Sequence, residues 1–329
     1  HGHGAASWRS TTEHFLTSAG PAPLLCSVMA KRLLPTLLLV LLTSLNSLGQ
    51  EPDLRLKLER AYEQWRAAVK ARDAKAWASA ITMHRQVITR NTIISQGLGF
   101  PKAVFDTMLA PPDIRNLRLL EAQNVGDTAH LLYFGQVDMG GEPDHIPHNL
   151  LMVKFFRQDG RWKFDSNKLI QLAAQPELRT KLLGGEAPDF LDLPEFTPPG
   201  TPPATPALCP LPDYITGCTV QAIGYEVELK VNGYDHFASG GLLRFFILGG
   251  LKNGPNPIQM SAKPLEMPKG AERVLVIDFF TKPQAAGEQG RRVFHYEAAS
   301  DDGKATKAGS WTLTMPASQE LSVGDAAKQ

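Results

Sequence analysis

The sequence predicts an α+β protein in two parts: a helix-backed, curved antiparallel sheet, then an all-β, sandwich-like domain. Three observations carry this. Apolar residues recur at steps of three and four between residues 53 and 109, the spacing of one helix face. From residue 117 the step drops to two, the spacing of one strand face. Past a proline-rich stretch, short alternating runs resume with no helical pattern between them. Helices followed by a strand meander stack as two layers around one core.

The first helix spans 53–70, where Leu54, Leu58, Tyr62, Trp65 and Val69 form one apolar stripe. Asp73 is placed to cap a second helix carrying Trp77 and Ile81. Pro101 suits the first position of a third helix, which presents Val104, Phe105, Met108 and Leu109 and stops at Pro111-Pro112. Strands are expected over 117–124, 127–139, 149–158 and 161–172. In the second of these, Ala129, Leu131, Tyr133, Gly135 and Val137 share one face, and His130, Leu132, Phe134, Gln136 and Asp138 share the other. Asp159-Gly160 is a two-residue hairpin pair.

The order and length of these elements resemble the nuclear-transport-factor-2-like superfamily, whose members include ketosteroid isomerases and scytalone dehydratase. The resemblance lies in "AYEQWRAAVKARDAKAWASA", "GDTAHLLYFGQV" and "LLMVKFFRQDGRWKFD", and covers roughly 53–173. It implies a cystatin-like cone in which sheet and helices enclose an apolar pocket. In the enzymes of that family a base and hydrogen-bond donors project into the cone, where burial raises a carboxylate's pKa until it can move protons.

The first domain is therefore set at 50–175. Between 176 and 212, "PELRTKLLGG" suits a short helix, and eight prolines from Pro194 to Pro212 suit a stiff, extended linker. From 213 to 316, "YEVELKV" and "RVFHYEA" alternate, while "VLVIDFF" is nearly continuous apolar and reads as a central strand. Residues 317–329 read as a disordered polar tail.

Residues 29–49 have the three parts of a secretory signal: Lys31-Arg32, an apolar run from Leu33 to Leu45, and Ser47 and Gly49 placed for a cut before Gln50. That run is shorter than the roughly 18 residues a membrane-spanning helix needs. Residues 1–28 read as an upstream extension, and the mature chain as exported, periplasmic or extracellular, touching a membrane only through its export signal. In an oxidising compartment Cys209 and Cys218 are expected to pair as a disulfide. A formal net charge of +1 gives no basic surface for nucleic acid.

Candidate pocket residues are the polar groups that could face the cone. His84, Arg85 and Arg90 follow the second helix, and His84 falls on its Trp77–Ile81 face if that helix continues; a basic helix C-terminus is the alternative account. Tyr133 and Asp138 offer a donor and a carboxylate on opposite faces of one strand; a tyrosine anchoring the core through its ring is the alternative. Glu142, Asp144, His145 and His148 crowd one loop, but their spacing is that of no recognised metal motif, and a polar hairpin loop explains them. Ser300–Lys304 ("SDDGK") lacks the later glutamate of a calcium loop. No cofactor is implied. The expected function is non-enzymatic: a small apolar or anionic ligand in the cone, or protein interaction, with a homodimer through the first domain's sheet. The alternatives are a proton-transfer enzyme of isomerase or dehydratase type, and a purely structural role.

Overall fold

A computed structural model describes residues 53–107, 110–138, 146–186, 191, 193–268, 270–282, 290–298 and 305–324. The export signal, the upstream extension, Glu142, Asp144, His145 and Ser300–Lys304 lie outside these residues. The chain is an α+β mix that divides into two units. Among the described residues, the first takes 53–82 and 110–203, and the second takes 83–107 and 204–324. Residues 83–107, expected within the 50–175 domain, group here with the C-terminal strands.

In the first unit, α1 (Leu54–Ala71) buries the expected stripe. Its α2 (Ala74–Ala80) begins at Asp73, whose carboxylate accepts from the backbone N–H of Lys75 and Ala76, both at 2.9 Å. That satisfies two of the donors a helix start leaves open. Then β1 (Arg118–Val125), β2 (Thr128–Gln136), β3 (His148–Gln158) and β4 (Arg161–Ile170) form an antiparallel meander in chain order. Asp159 and Gly160 both take positive φ, 54° and 72°, joining Gln158 to Arg161 in the two-residue turn their sequence predicts.

One face of this sheet packs against α1. Trp65 stacks on Phe164 with ring centroids 3.9 Å apart, and Tyr62 meets the same ring edge-on at 5.9 Å. The other face is also covered. Leu132, Phe134, Leu150 and Met152 cluster with Leu172 and with Leu182 of α5 (Pro176–Leu183), and Leu191 and Phe196 pack on the rim. Farther on, Gly200 exchanges hydrogen bonds with Asp127 and Thr128, each 2.9 Å. The expected linker is thus no free spacer in its first half: apolar side chains dock it on the sheet.

Its second half is held in the second unit. There α3 (Met83–Ser95) presents Asn91, which donates to the Ala207 carbonyl at 2.8 Å and accepts from the Cys209 N–H at 3.0 Å. Ser95 of the same helix accepts from the Gly249 N–H at 2.8 Å. A short α4 (Lys102–Thr107) follows Pro101, where the proline places it.

The second unit's sheet is built on β5 (Thr216–Val231). It pairs with β6 (Tyr234–Phe246) along most of its length, with β8 (Val274–Thr281) through its first half, and with β7 (Gly254–Pro264) through its second. Strands β9 (Arg291–Glu297) and β10 (Lys307–Met315) extend the two ends. The halves part at Gly224, φ 74°, where a Cβ would meet the Arg273 side chain at 2.8 Å. Opposite it β6 bends at Gly240-Gly241. His236 and Phe245 stack with centroids 5.1 Å apart, although nine residues of straight strand would separate them by about 30 Å. The sheet is therefore strongly curved, and its concave side holds Val220, Val227, Leu229, Ile277, Phe279 and Phe294.

Two strands escape a reading by alternation. In β7, Pro255 and Pro257 break the pattern, but β5 pairs with β7 only from Ile258 onward. The prolines thus sit where one side of the strand asks for no N–H. Leu321–Gly324 forms β11, parallel to β9. This corrects the expectation of a disordered tail for those four residues: Arg291 donates to the carbonyls of Ala317 and Ser318, both at 2.8 Å, and Leu321 and Val323 reach the core.

Candidate functional site

The inner face of the first unit's sheet is where a cone pocket would lie. Ala129, Leu131 and Tyr133 of β2 point there, with Leu151, Val153 and Phe155 of β3, all buried. Tyr62, Trp65 and Trp77 fill the space from the helical side, each at most 5 % exposed. Tyr62, Trp65 and Phe164 pack ring on ring there, and Phe155 meets Phe164 edge-on at 6.4 Å.

One polar chain enters this interior. The Tyr133 hydroxyl donates to Glu59 Oε1 at 2.9 Å, and Glu59 also accepts from Arg55 Nε at 2.8 Å. Burial, and then the Glu59 charge, push the Tyr133 hydroxyl well above the ordinary phenol range, so it stays a donor. Tyr133 is the predicted site residue that does face inward. Sequence reasoning missed Glu59, which sits beside the α1 stripe; its spacing of four from Arg55 was the available signal.

The other predicted residues do not join Tyr133. Asp138 lies beyond the end of β2 and is exposed. His84, Arg85 and Arg90 sit on α3, in the second unit. The continuous helix that would carry His84 on the Trp77 face does not form. Ile81 turns extended, with ψ of 160°, and bridges to Phe164 of β4. Thr82 N–H then donates to the Phe164 carbonyl at 3.0 Å, and its hydroxyl to buried Asp165 at 2.6 Å. Two β-branched residues gain strand-edge and side-chain bonds there that another helical turn would not supply. Arg90 donates to the Cys209 carbonyl at 3.0 Å, a packing role within its own unit.

On the sheet's opposite face, as alternation predicts, His130 lies 3.0 Å from Glu121. Burial lowers its pKa and the Glu121 carboxylate opposes that only in part, which favours the neutral ring. Lys154 stands across from it on β3, its pKa lowered by burial and by Lys168.

An open groove of about 780 Å³ runs between the C-terminal half of α1, α2 and the β3–β4 hairpin. Ala67, Ala71, Ala76 and Ala80 make its helical walls, and Trp162 and Lys163 its far side. Arg157 lies over the Trp162 ring, 4.6 Å from its centroid.

In the second unit, Asp278 of β8 lies 2.8 Å from His295 Nδ1 of β9, and Arg292 bridges Asp278 at 3.2 Å and Glu320 at 2.8 Å. This row joins neighbouring strands across the sheet; its spacing in sequence carries no motif, so only strand register could reveal it. The two cysteines correct the expected disulfide. Both are buried free thiols: Cys218 points into the sheet core, and Cys209 lies 3.7 Å from Ser95 of α3. Burial raises the Cys218 thiol far above its usual range. Among the described residues no cluster of three His, Cys, Asp or Glu side chains could hold a metal ion, and no helix is long and apolar enough to cross a membrane.

No family model, curated protein or solved structure matches the chain.

Proposed function

We propose that the chain is an exported, non-enzymatic interaction protein. Its first unit is a cystatin-like cone that has given its interior to packing, and its second a sandwich-like β module. The observation that supports this best is the set of rings, Tyr62, Trp65, Trp77, Phe155 and Phe164, standing where the cone pocket would be. The Arg55–Glu59–Tyr133 chain supports it too, because the Tyr133 hydroxyl already donates to Glu59, which Arg55 also holds. A panel of small apolar and anionic compounds should give no saturable rise in unfolding temperature. A saturable rise that disappears in Tyr133→Phe would return the interior to ligand binding and refute the reading. Export is checked separately, by the N-terminal sequence of the secreted form, expected at Gln50.

A second reading, proton transfer, draws on one observation: a buried tyrosine donor 2.9 Å from a carboxylate. It requires Glu59 to take a proton from carbon while Tyr133 steadies the developing oxyanion. Deuterium uptake into a panel of simple ketones, lost in Glu59→Gln, is the result that reading needs; the non-enzymatic reading expects none.

A further inference from the structure

The second unit leaves one long strand edge open. β5 occupies one side of β6, and among the described residues no strand pairs with the other side. An open edge presents unpaired N–H and C=O groups to any strand that can align with them, and proteins usually blunt such edges with brevity, proline or lysine. β11 has four residues, and β10 opens with Lys307. β6 has 13 residues and neither proline nor lysine. It also exposes two large apolar side chains, Phe237 at 69 % and Leu242 at 59 %.

The pattern along β6 shows what would fit. Before the bend, Asp235 and Phe237 point outward, and His236 and Ala238 are buried. Past it the alternation has changed phase: Leu242 and Arg244 point outward, and Leu243 and Phe245 pack on the core. We propose that β6 pairs edge to edge with β6 of a second copy of this chain, antiparallel about a two-fold axis between Ser239 and Gly240. In that register Asp235 faces the Arg244 of the second copy, and Phe237 faces its Leu242, each pair occurring twice. Opposite charges meet, apolar groups meet, and outward residues face outward residues. An unbroken two-residue alternation would set outward residues against inward ones in the same register. The phase change at the bend is what makes the strand complementary to itself, as a two-fold interface demands. The bend tolerates a neighbour, since β5 already pairs with β6 on both sides of it. Asp235 also contacts Lys230 at 3.1 Å, and the incoming guanidinium would share that carboxylate.

Interfaces below about 1,200 Å² are weak encounters, and one strand pair is of that size, so the dimer should depend on concentration. Sedimentation velocity on the full chain, over a concentration series, should show reversible dimerisation. Arg244→Asp, at an exposed position, should leave the circular dichroism spectrum unchanged and raise the dimer dissociation constant about tenfold or more. Register is read by cross-linking in a Cys26→Ser background. Phe237→Cys chains mixed with Leu242→Cys chains should form a disulfide-linked dimer under mild oxidation, and neither variant alone should do so. A chain that stays monomeric at every concentration overturns the proposal. So does a dimer indifferent to Arg244→Asp, or a cross-link that forms equally well in one variant alone.

Discussion

The first unit's sheet is covered on both faces, whereas the second unit's sheet curls around its own apolar face and, among the described residues, leaves the outer side of β6 unpaired. In the first unit α1 takes one face and α5 with Leu191 and Phe196 takes the other, so even the polar groups turn inward: Arg66 to Asp113, Tyr133 to Glu59, His130 to Glu121. In the second, curvature alone makes the core, and the charged row of Asp278, His295, Arg292 and Glu320 remains on the outer side. A sheet that borrows helices for its core can bury ionisable side chains in pairs. One that curls around its own apolar face shows its charges to the outside. The contrast teaches where to look for recognition: the helix-backed sheet turns its polar groups on one another, and the curled sheet has an edge.

Four experiments would break or sharpen this contrast. The largest effects should come from ring deletions in each core. Trp65→Ala in the first unit and Phe294→Ala in the second should each cost about 3–5 kcal/mol. If the units are separate cores, each substitution shifts one of two urea transitions; a single transition moved equally by both would merge them.

Acid should strike the second unit next. His236 is buried, its Nε2 has no hydrogen-bond partner, and burial drops its pKa to about 4. The unfolded chain takes up that proton near pH 6.5. Stability is therefore fully present above about pH 6.5 and falls as pH drops toward 4, by on the order of 3 kcal/mol. His236→Phe should flatten most of that decline in urea midpoints measured across the range. His130, also lowered by burial, should produce a fall of the same sign in the first unit.

Asn91→Ala leaves the Ala207 carbonyl and the Cys209 N–H without their partner and should cost about 1–3 kcal/mol. The loss should appear in the second unit's transition, although Asn91 precedes β5 by more than a hundred residues. A loss confined to the first unit would show that α3 has been placed in the wrong body. The smallest effect is expected of Tyr133→Phe, about 1 kcal/mol for one hydrogen bond, read as a small shift of the first transition with no change in the second.

Much of the fold was legible because it is written in local pattern. The α1 stripe, the Asp73 cap, the Asp159-Gly160 turn and the four-strand meander each follow from residues within a few positions of one another. The candidate site was less so. Tyr133 was found because strand alternation assigns it a face, but its partner Glu59 lies 74 residues away and only packing brings them together. His84 was misplaced because nothing in "AITMHR" announces a break; the break is stabilised by the edge of β4, far along the chain. The cysteine pair was inferred from compartment and count, whereas the burial of each thiol depends on which neighbour its segment meets.

Part of the short-range order — the α1 stripe, the Asp73 cap, the Asp159-Gly160 turn and the faces of β2 — was settled by the sequence alone, since steric and hydrogen-bond preferences of neighbouring residues suffice for it. Tertiary structure alone decided where one unit stops and the other begins, which rings pack between α1 and the first sheet, and that β6 bends with an edge unpaired among the described residues. Those outcomes turn on contacts between residues scores of positions apart, and no local preference encodes which of several apolar faces will meet.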